Sequence, residues 1–136
     1  GGGLPIGAVL FGEKTQEVLV PGDHGSTFGG NPVVCAGAAE ILSRMSDAFL
    51  ADVQAKGEYL KAEIEKMPHV TGVSGMGMML GIERDVDVKP LVTELMEKGL
   101  LVLTAKHKMR LLPPLNITCK ELKQGLTILN EVLSNI

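Results

Sequence analysis

The sequence has no tryptophan, one tyrosine and three phenylalanines, so aromatic residues make up 3% of it. Stacking on the bases of a nucleic acid would find almost no platform here. An excess of one charge is also missing: 13 basic residues stand against 16 acidic ones for a net charge of -3, and the densest basic tract is Lys106-His107-Lys108. That balance disfavours a polyanionic partner such as nucleic acid. Cysteine is scarce, and Cys35 and Cys119 are too far apart for a CxxC pair, with no histidine at metal-ligand spacing. Neither a redox motif nor a metal site is visible, and a reduced, cytoplasmic chain is the expectation. No apolar run reaches the roughly 18 residues that span a bilayer, and no basic stretch precedes an apolar one at the start. Export and membrane insertion are not expected. The phosphate loop Gly-Lys-Ser/Thr and the dinucleotide fingerprint G-x-G-x-x-G are absent as well.

What is present is a chain of 136 residues, 45% apolar and 21% charged, the composition of a globular protein whose core must be filled by Leu, Val, Ile, Met and Ala. Its opening, Gly1-Gly2-Gly3-Leu4-Pro5-Ile6-Gly7, has no initiator methionine and enters a loop at once. This resembles a cut edge; a tag scar is the alternative, against which the apolar Leu4-Pro5-Ile6 argues.

Short apolar runs at 6–11 and 18–20 predict two extended strands. The segment 21–30 carries four glycines and is a loop with wide backbone freedom. Asn31-Pro32 then starts a helix, since Asn caps free N–H groups and proline at the first position sacrifices no hydrogen bond. Leu42, Met45, Phe49, Val53, Leu60, Ile64 and Met67 recur mostly three or four apart, giving helices over 32–45 and 47–66. The first is more apolar all round and is expected to lie deeper. Beyond Pro68, apolar runs at 70–73 and 78–82 predict strands, Asp87 to Gly99 a helix over 88–98, and 100–103 and 109–112 two more strands around the polar turn 104–108. Thr118-Cys119-Lys120-Glu121 is a capping box, followed by Leu122, Leu126, Leu129 and Leu133 on one face of a last helix. The resulting order predicts an α+β body behind a loop-rich first third, with the boundary inside 46–68.

Two places have the chemistry of a site. Ser26 and Thr27, beside Gly25, Gly29 and Gly30, put two hydroxyls on a pliable backbone shortly before a helix start, which are the parts of an anion site or merely of a connection. Arg110, one of three arginines, lies inside the apolar strand Met109-Arg110-Leu111-Leu112. Its planar, permanently charged guanidinium suits a carboxylate or phosphate, the other readings being an exposed edge-strand charge or an internal salt bridge. His24, His69 and His107 are scattered and read as surface or satisfied loop residues. Met76, Met78 and Met79 read as core and interface filler, and Cys35 as a buried residue of the first helix.

Taken together, the opening Gly1 to Ala8, the block His24-Gly25-Ser26-Thr27-Phe28-Gly29-Gly30-Asn31-Pro32 and the run Arg110-Leu111-Leu112-Pro113-Pro114-Leu115 resemble the class III aminotransferases, pyridoxal-phosphate enzymes of fold type I. The resemblance runs in order over essentially the whole chain. It implies that 1–45 are the end of the large cofactor-binding domain and 46–136 the small C-terminal α+β domain with its connecting helix. It implies pyridoxal 5'-phosphate as cofactor and a homodimer whose sites are shared between subunits. Amino transfer would run from N-acetylornithine, or a related ω-amine (ornithine, succinylornithine, 4-aminobutyrate), to 2-oxoglutarate in arginine biosynthesis. Thr27, with Ser26 beside it, matches the residue that binds the cofactor phosphate in the partner's site, Ser26 borders the substrate, and Arg110 matches the arginine that pairs with a substrate carboxylate. The Schiff-base lysine is expected upstream of Gly1, so no catalytic residue is assigned and the chain alone is expected to be inactive. A second expectation, independent of the resemblance, is an anion-binding or association module without catalysis. Apolar surface within 1–45 would favour self-association in either case.

Overall fold

The computed structural model describes all 136 residues, which fall into two compact units, Gly1–Asp47 and Ala48–Ile136. In the first unit residues 1–31 form turns and extended segments without a helix or strand. The strands expected at 6–11 and 18–20 are not formed. The chain between them bends at Gly12, whose carbonyl accepts from the N–H groups of Thr15 and Gln16 at 2.9 and 3.0 Å. Asp23 Oδ2 accepts from Val20 N–H at 3.0 Å and turns the second run away from an extended course. Helix α1 (Pro32–Ser43) starts as the sequence requires, with Asn31 Oδ1 accepting from the N–H of Val33 at 3.0 Å and of Val34 at 3.3 Å. It is not the deeper helix. None of its residues is buried, and Cys35, expected inside, is exposed.

The second unit holds a four-stranded antiparallel sheet and three helices around one core. Helix α2 (Asp47–Ile64) buries Val53, Gly57, Leu60 and Ile64, one stripe at helical spacing. Strands β1 (Val70–Met76) and β2 (Met79–Arg84) make a hairpin with the two-residue loop Gly77-Met78. Gly77 has φ +53°, and a positive φ at the first loop residue alone is the type II′ pattern, which glycine adopts at no steric cost. Helix α3 (Val88–Glu97) is capped by Asp87. It ends in a Schellman motif at Gly99 (φ +88°), where Leu100 N–H donates to the Leu95 carbonyl at 2.8 Å and Gly99 N–H to that of Met96 at 3.0 Å.

Strands β3 (Leu103–Ala105) and β4 (Lys108–Leu111) follow, and the sheet order is β1-β2-β4-β3. The apolar run 100–103 was expected to be the strand and 104–108 the turn. Instead Leu100 closes α3, and Thr104 and Ala105 pair with Met109 and Lys108, so the turn shrinks to Lys106-His107. Helix α4 (Cys119–Ser134) has the predicted capping box: Thr118 Oγ1 accepts from Glu121 N–H at 3.2 Å, and Glu121 Oε2 accepts from Thr118 N–H at 2.8 Å.

Leu80 and Ile82 of β2 and Met109 and Leu111 of β4 point into the same core as Leu91 and Leu95 of α3 and Leu122, Leu129 and Leu133 of α4. Burying each such side chain is worth about 1.5–3 kcal/mol. Of the three methionines read as filler, only Met78 is in the core; Met76 and Met79 are exposed. No helix is long and apolar enough to cross a membrane.

Candidate functional site

Strand alternation decides where Arg110 stands. Met109 and Leu111 face the core, so Lys108 and Arg110 lie on the opposite face of the sheet. β4 is an inner strand, flanked by β2 and β3, which removes the reading of Arg110 as an edge charge. No carboxylate pairs with it either, and its Nε is sealed from solvent without a hydrogen-bond partner. Across β2 its register partner is Gly81 and across β3 it is Leu103, so neither neighbour can neutralise it. A guanidinium on a strand without a carboxylate partner keeps the planar donor geometry that suits an anion.

Around Arg110 lies a polar group that spacing along the sequence did not single out. Lys108 Nζ contacts Glu83 Oε1 at 2.5 Å and donates to Ser74 Oγ at 2.9 Å, reaching from β4 across β2 to β1. Its stem crosses Gly81, where a Cβ would meet Lys108 Cδ at 3.2 Å. The alternation Lys108, Arg110 was the available signal, since residues two apart on a strand share a face.

Ser26 and Thr27 belong to the first unit and are described apart from Arg110. Both are exposed, and neither hydroxyl has a hydrogen-bond partner; only the Ser26 carbonyl is engaged, by Gly29 N–H at 3.3 Å. Ser26 lines a cavity of about 370 Å³ with Pro5, Gly7, Gly30 and Asn31, and Thr27 stands outside it. The start of α1 adds little to an anion site, because Asn31 already occupies its first free N–H groups. Two free hydroxyls on an exposed loop fit phosphate oxygens as donors, but no cation lies among the cavity's lining residues.

Arg84 was also missed. All three of its guanidinium nitrogens are sealed from solvent without a partner although the side chain as a whole is only half-buried. Burial pushes its pKa down, and the nearby Asp85 and Asp87 oppose that shift. His69, a loop residue as expected, meets Asp85 Oδ1 through Nδ1 at 3.1 Å.

The chain is 47% identical over 137 residues to the acetylornithine aminotransferase of Haemophilus ducreyi, covering 99% of this chain and 35% of that protein. Among solved structures, the acetylornithine aminotransferase of Elizabethkingia anophelis superposes with a TM-score of 0.74 at 32% identity, covering 88% of this chain and 34% of the other. An ornithine aminotransferase of Toxoplasma gondii, which carries PLP at partial occupancy in its active site, gives 0.76 at 31% identity, covering 90% and 31%. This chain therefore spans about a third of the length of the proteins it matches. The sequence profile described as aminotransferase class-III matches residues 1–133, nearly the full length over which the free arginine and the hydroxyl loop are spread. With that match and these relatives, the chain belongs to the class-III aminotransferase family.

Proposed function

We propose that this chain is the C-terminal part of a pyridoxal-phosphate-dependent aminotransferase that moves an amino group from N-acetylornithine to 2-oxoglutarate, as a cytoplasmic step of arginine biosynthesis. The observation that carries the reading is the unpaired guanidinium of Arg110 on an inner strand. Acetylornithine aminotransferases among the relatives supply the donor. Residues 1–45 are read as the end of the large domain and 46–136 as the small domain, in keeping with the two compact units.

Arg110 donates to both oxygens of the substrate carboxylate in a bidentate pair and orients the molecule, a role in which a flexible lysine would serve less well. Thr27 and Ser26 donate their hydroxyls to phosphate oxygens of the cofactor in the partner subunit's site, so that the working unit is a homodimer. Ser26 also borders the substrate. When bound, the cofactor supplies an electron sink for charge developing at the amine-bearing carbon. The lysine that carries it is contributed by a segment that precedes Gly1, and Lys14, the nearest lysine, is not given that role.

The test compares the 136-residue chain with a chain extended upstream to the length of its relatives. Each is incubated with pyridoxal phosphate, reduced with borohydride and weighed. The extended protein is expected to gain one adduct and to transaminate N-acetylornithine with 2-oxoglutarate, and the shorter chain to do neither. A stoichiometric adduct with turnover on the shorter chain would overturn the assignment. Ornithine is assayed in parallel because ornithine aminotransferases are among the structural neighbours, and faster turnover of ornithine would change the donor. In the extended enzyme, Arg110→Lys should raise KM for 2-oxoglutarate by roughly 10- to 100-fold, the loss of a charge-assisted pair worth about 1.5–3 kcal/mol.

A further inference from the structure

The face of the sheet that carries Arg110 also carries a carboxylate able to disable it. Glu83 is two residues beyond Gly81, the register partner of Arg110, and so sits diagonally across the β2–β4 pair. Such diagonal positions are roughly 7–8 Å apart, within reach of long side chains. Yet Glu83 does not turn to Arg110. It is held by Lys108 Nζ at 2.5 Å, while the same ammonium is fixed on its far side by Ser74 Oγ at 2.9 Å. Gly81 permits this, because the Lys108 stem lies over it where any Cβ would crowd Cδ at 3.2 Å. Glu83 is therefore drawn to Lys108, and Arg110 keeps no partner of its own.

We propose that Lys108 is a positioning residue that sequesters Glu83, with Ser74 anchoring the lysine, and thereby keeps Arg110 available for the carboxylate of an amino-acid or oxo-acid substrate. This inference rests on the reading of Arg110 given above. Lys108 touches no reacting atom; it acts by occupying the competitor. Without it, Glu83 swings to Arg110 and competes with every substrate carboxylate, which weakens substrate binding and leaves the chemical step intact. Arginine at 108 can hold Glu83 as lysine does.

Three variants of the upstream-extended enzyme test this: Lys108→Met, Lys108→Arg and the double variant Lys108→Met/Glu83→Gln. Lys108→Met should raise KM for 2-oxoglutarate about 5- to 10-fold with kcat changed less than about two-fold, the pattern of lost uniform binding. Lys108→Arg and the double variant should both return KM to within about two-fold of the parent. A simple loss of structure would not be repaired by removing the Glu83 charge. An unchanged KM in Lys108→Met overturns the proposal, as does a raised KM that the double variant fails to restore, since Lys108 would then meet the substrate itself. A second readout needs no turnover. In 15N spectra of the 136-residue chain, the Arg110 Nη–H signals, identified by their loss in Arg110→Lys, should become protected from exchange in Lys108→Met and not in the double variant, the Nε already being sealed from solvent in the parent. Equal exchange in all forms refutes the competition. Arg110→Lys separates the two readings: if it leaves KM unmoved, the role of Arg110 fails, whereas an effect of Arg110→Lys without one of Lys108→Met sinks only the present inference.

Discussion

Replacing Gly57 by alanine sets two physical effects against each other, and the structure decides between them. Gly57 lies in the middle of α2, where glycine costs about 1 kcal/mol relative to alanine in an isolated helix. Propensity alone therefore predicts stabilisation. A Cβ at this position, however, would stand 2.3 Å from the Gly77 carbonyl oxygen, 2.7 Å from its carbon and 3.0 Å from its Cα. The obstacle is the backbone of the β1–β2 turn, pinned on either side by the pairing of Met76 with Met79. Moving that turn by the needed ångström also drags at Met78, which is only 2% exposed. Overpacking of this kind costs typically about 1–3 kcal/mol and more where backbone must yield. We take the upper end less the propensity gain, a net loss of about 2 kcal/mol. In a unit of this size that is a fall in Tm of roughly 8–16 °C. The assay is thermal and urea unfolding of the 136-residue chain by far-UV circular dichroism, beside Ala55→Gly, an exposed position on the same helix, which should lose about 1 kcal/mol by propensity. A Gly57→Ala protein as stable as the parent, or more so, would mean that helix and turn do not approach as described.

Three further outcomes are expected in the same unfolding experiments. Lys106 has φ +56° at the first position of its two-residue turn, so Lys106→Gly should stabilise by about 0.5–1 kcal/mol, and a lower urea midpoint would contradict the turn geometry. Arg84→Met removes three unpartnered guanidinium nitrogens while keeping most of the stem; discounted for the half-exposed side chain and for the attraction of Asp85 and Asp87, the gain should be about 1 kcal/mol, and a destabilised variant would reveal a partner for Arg84. Thr118→Ala removes the cap of α4 at a loss of about 1 kcal/mol near neutral pH. The Thr118 hydroxyl, first, and its N–H, second, hold the Glu121 carboxyl below its ordinary value. A depressed folded pKa stabilises above the unfolded pKa and loses that contribution as pH falls through the folded one, so the gap between parent and variant should narrow below about pH 4. A gap that widens in acid would refute the reciprocal box.

The parts of the fold written in local chemistry were legible. Asn31, Asp87 and Thr118 announce helices by the hydrogen bonds their side chains make to N–H groups two and three residues on, and Gly99 announces an end by the positive φ it adopts. Strands depend on partners and are less local. The run 6–11 has strand composition but no ladder, and Leu100 looks like strand yet completes the cap of α3. Hydrophobicity also misjudged α1, none of whose apolar residues is buried, while the more polar α2 supplies the core through a single stripe. Arg110 could be picked out because a charge amid Met, Leu and Leu is conspicuous. Its isolation could not, since that depends on Gly81 and Glu83, which pairing brings alongside from a distant part of the chain.

The sheet order β1-β2-β4-β3 places two quick events around a slow one. Each hairpin closes over a two-residue loop, the kind of step that takes roughly 1–10 μs. The β2–β4 seam instead joins Gly81 to Arg110 with all of α3 intervening, and loop-closure entropy must be overcome before that pairing contributes anything. Arg110 lies on the seam. Its surroundings consequently come into being only when the non-local pairing closes, and a seam that opens briefly erases them while both hairpins stay intact. If Arg110 binds the proposed carboxylate, its capture is tied kinetically to the least local contact of the sheet, and anion binding would report on the closure of that seam more directly than any measure of helix or hairpin content.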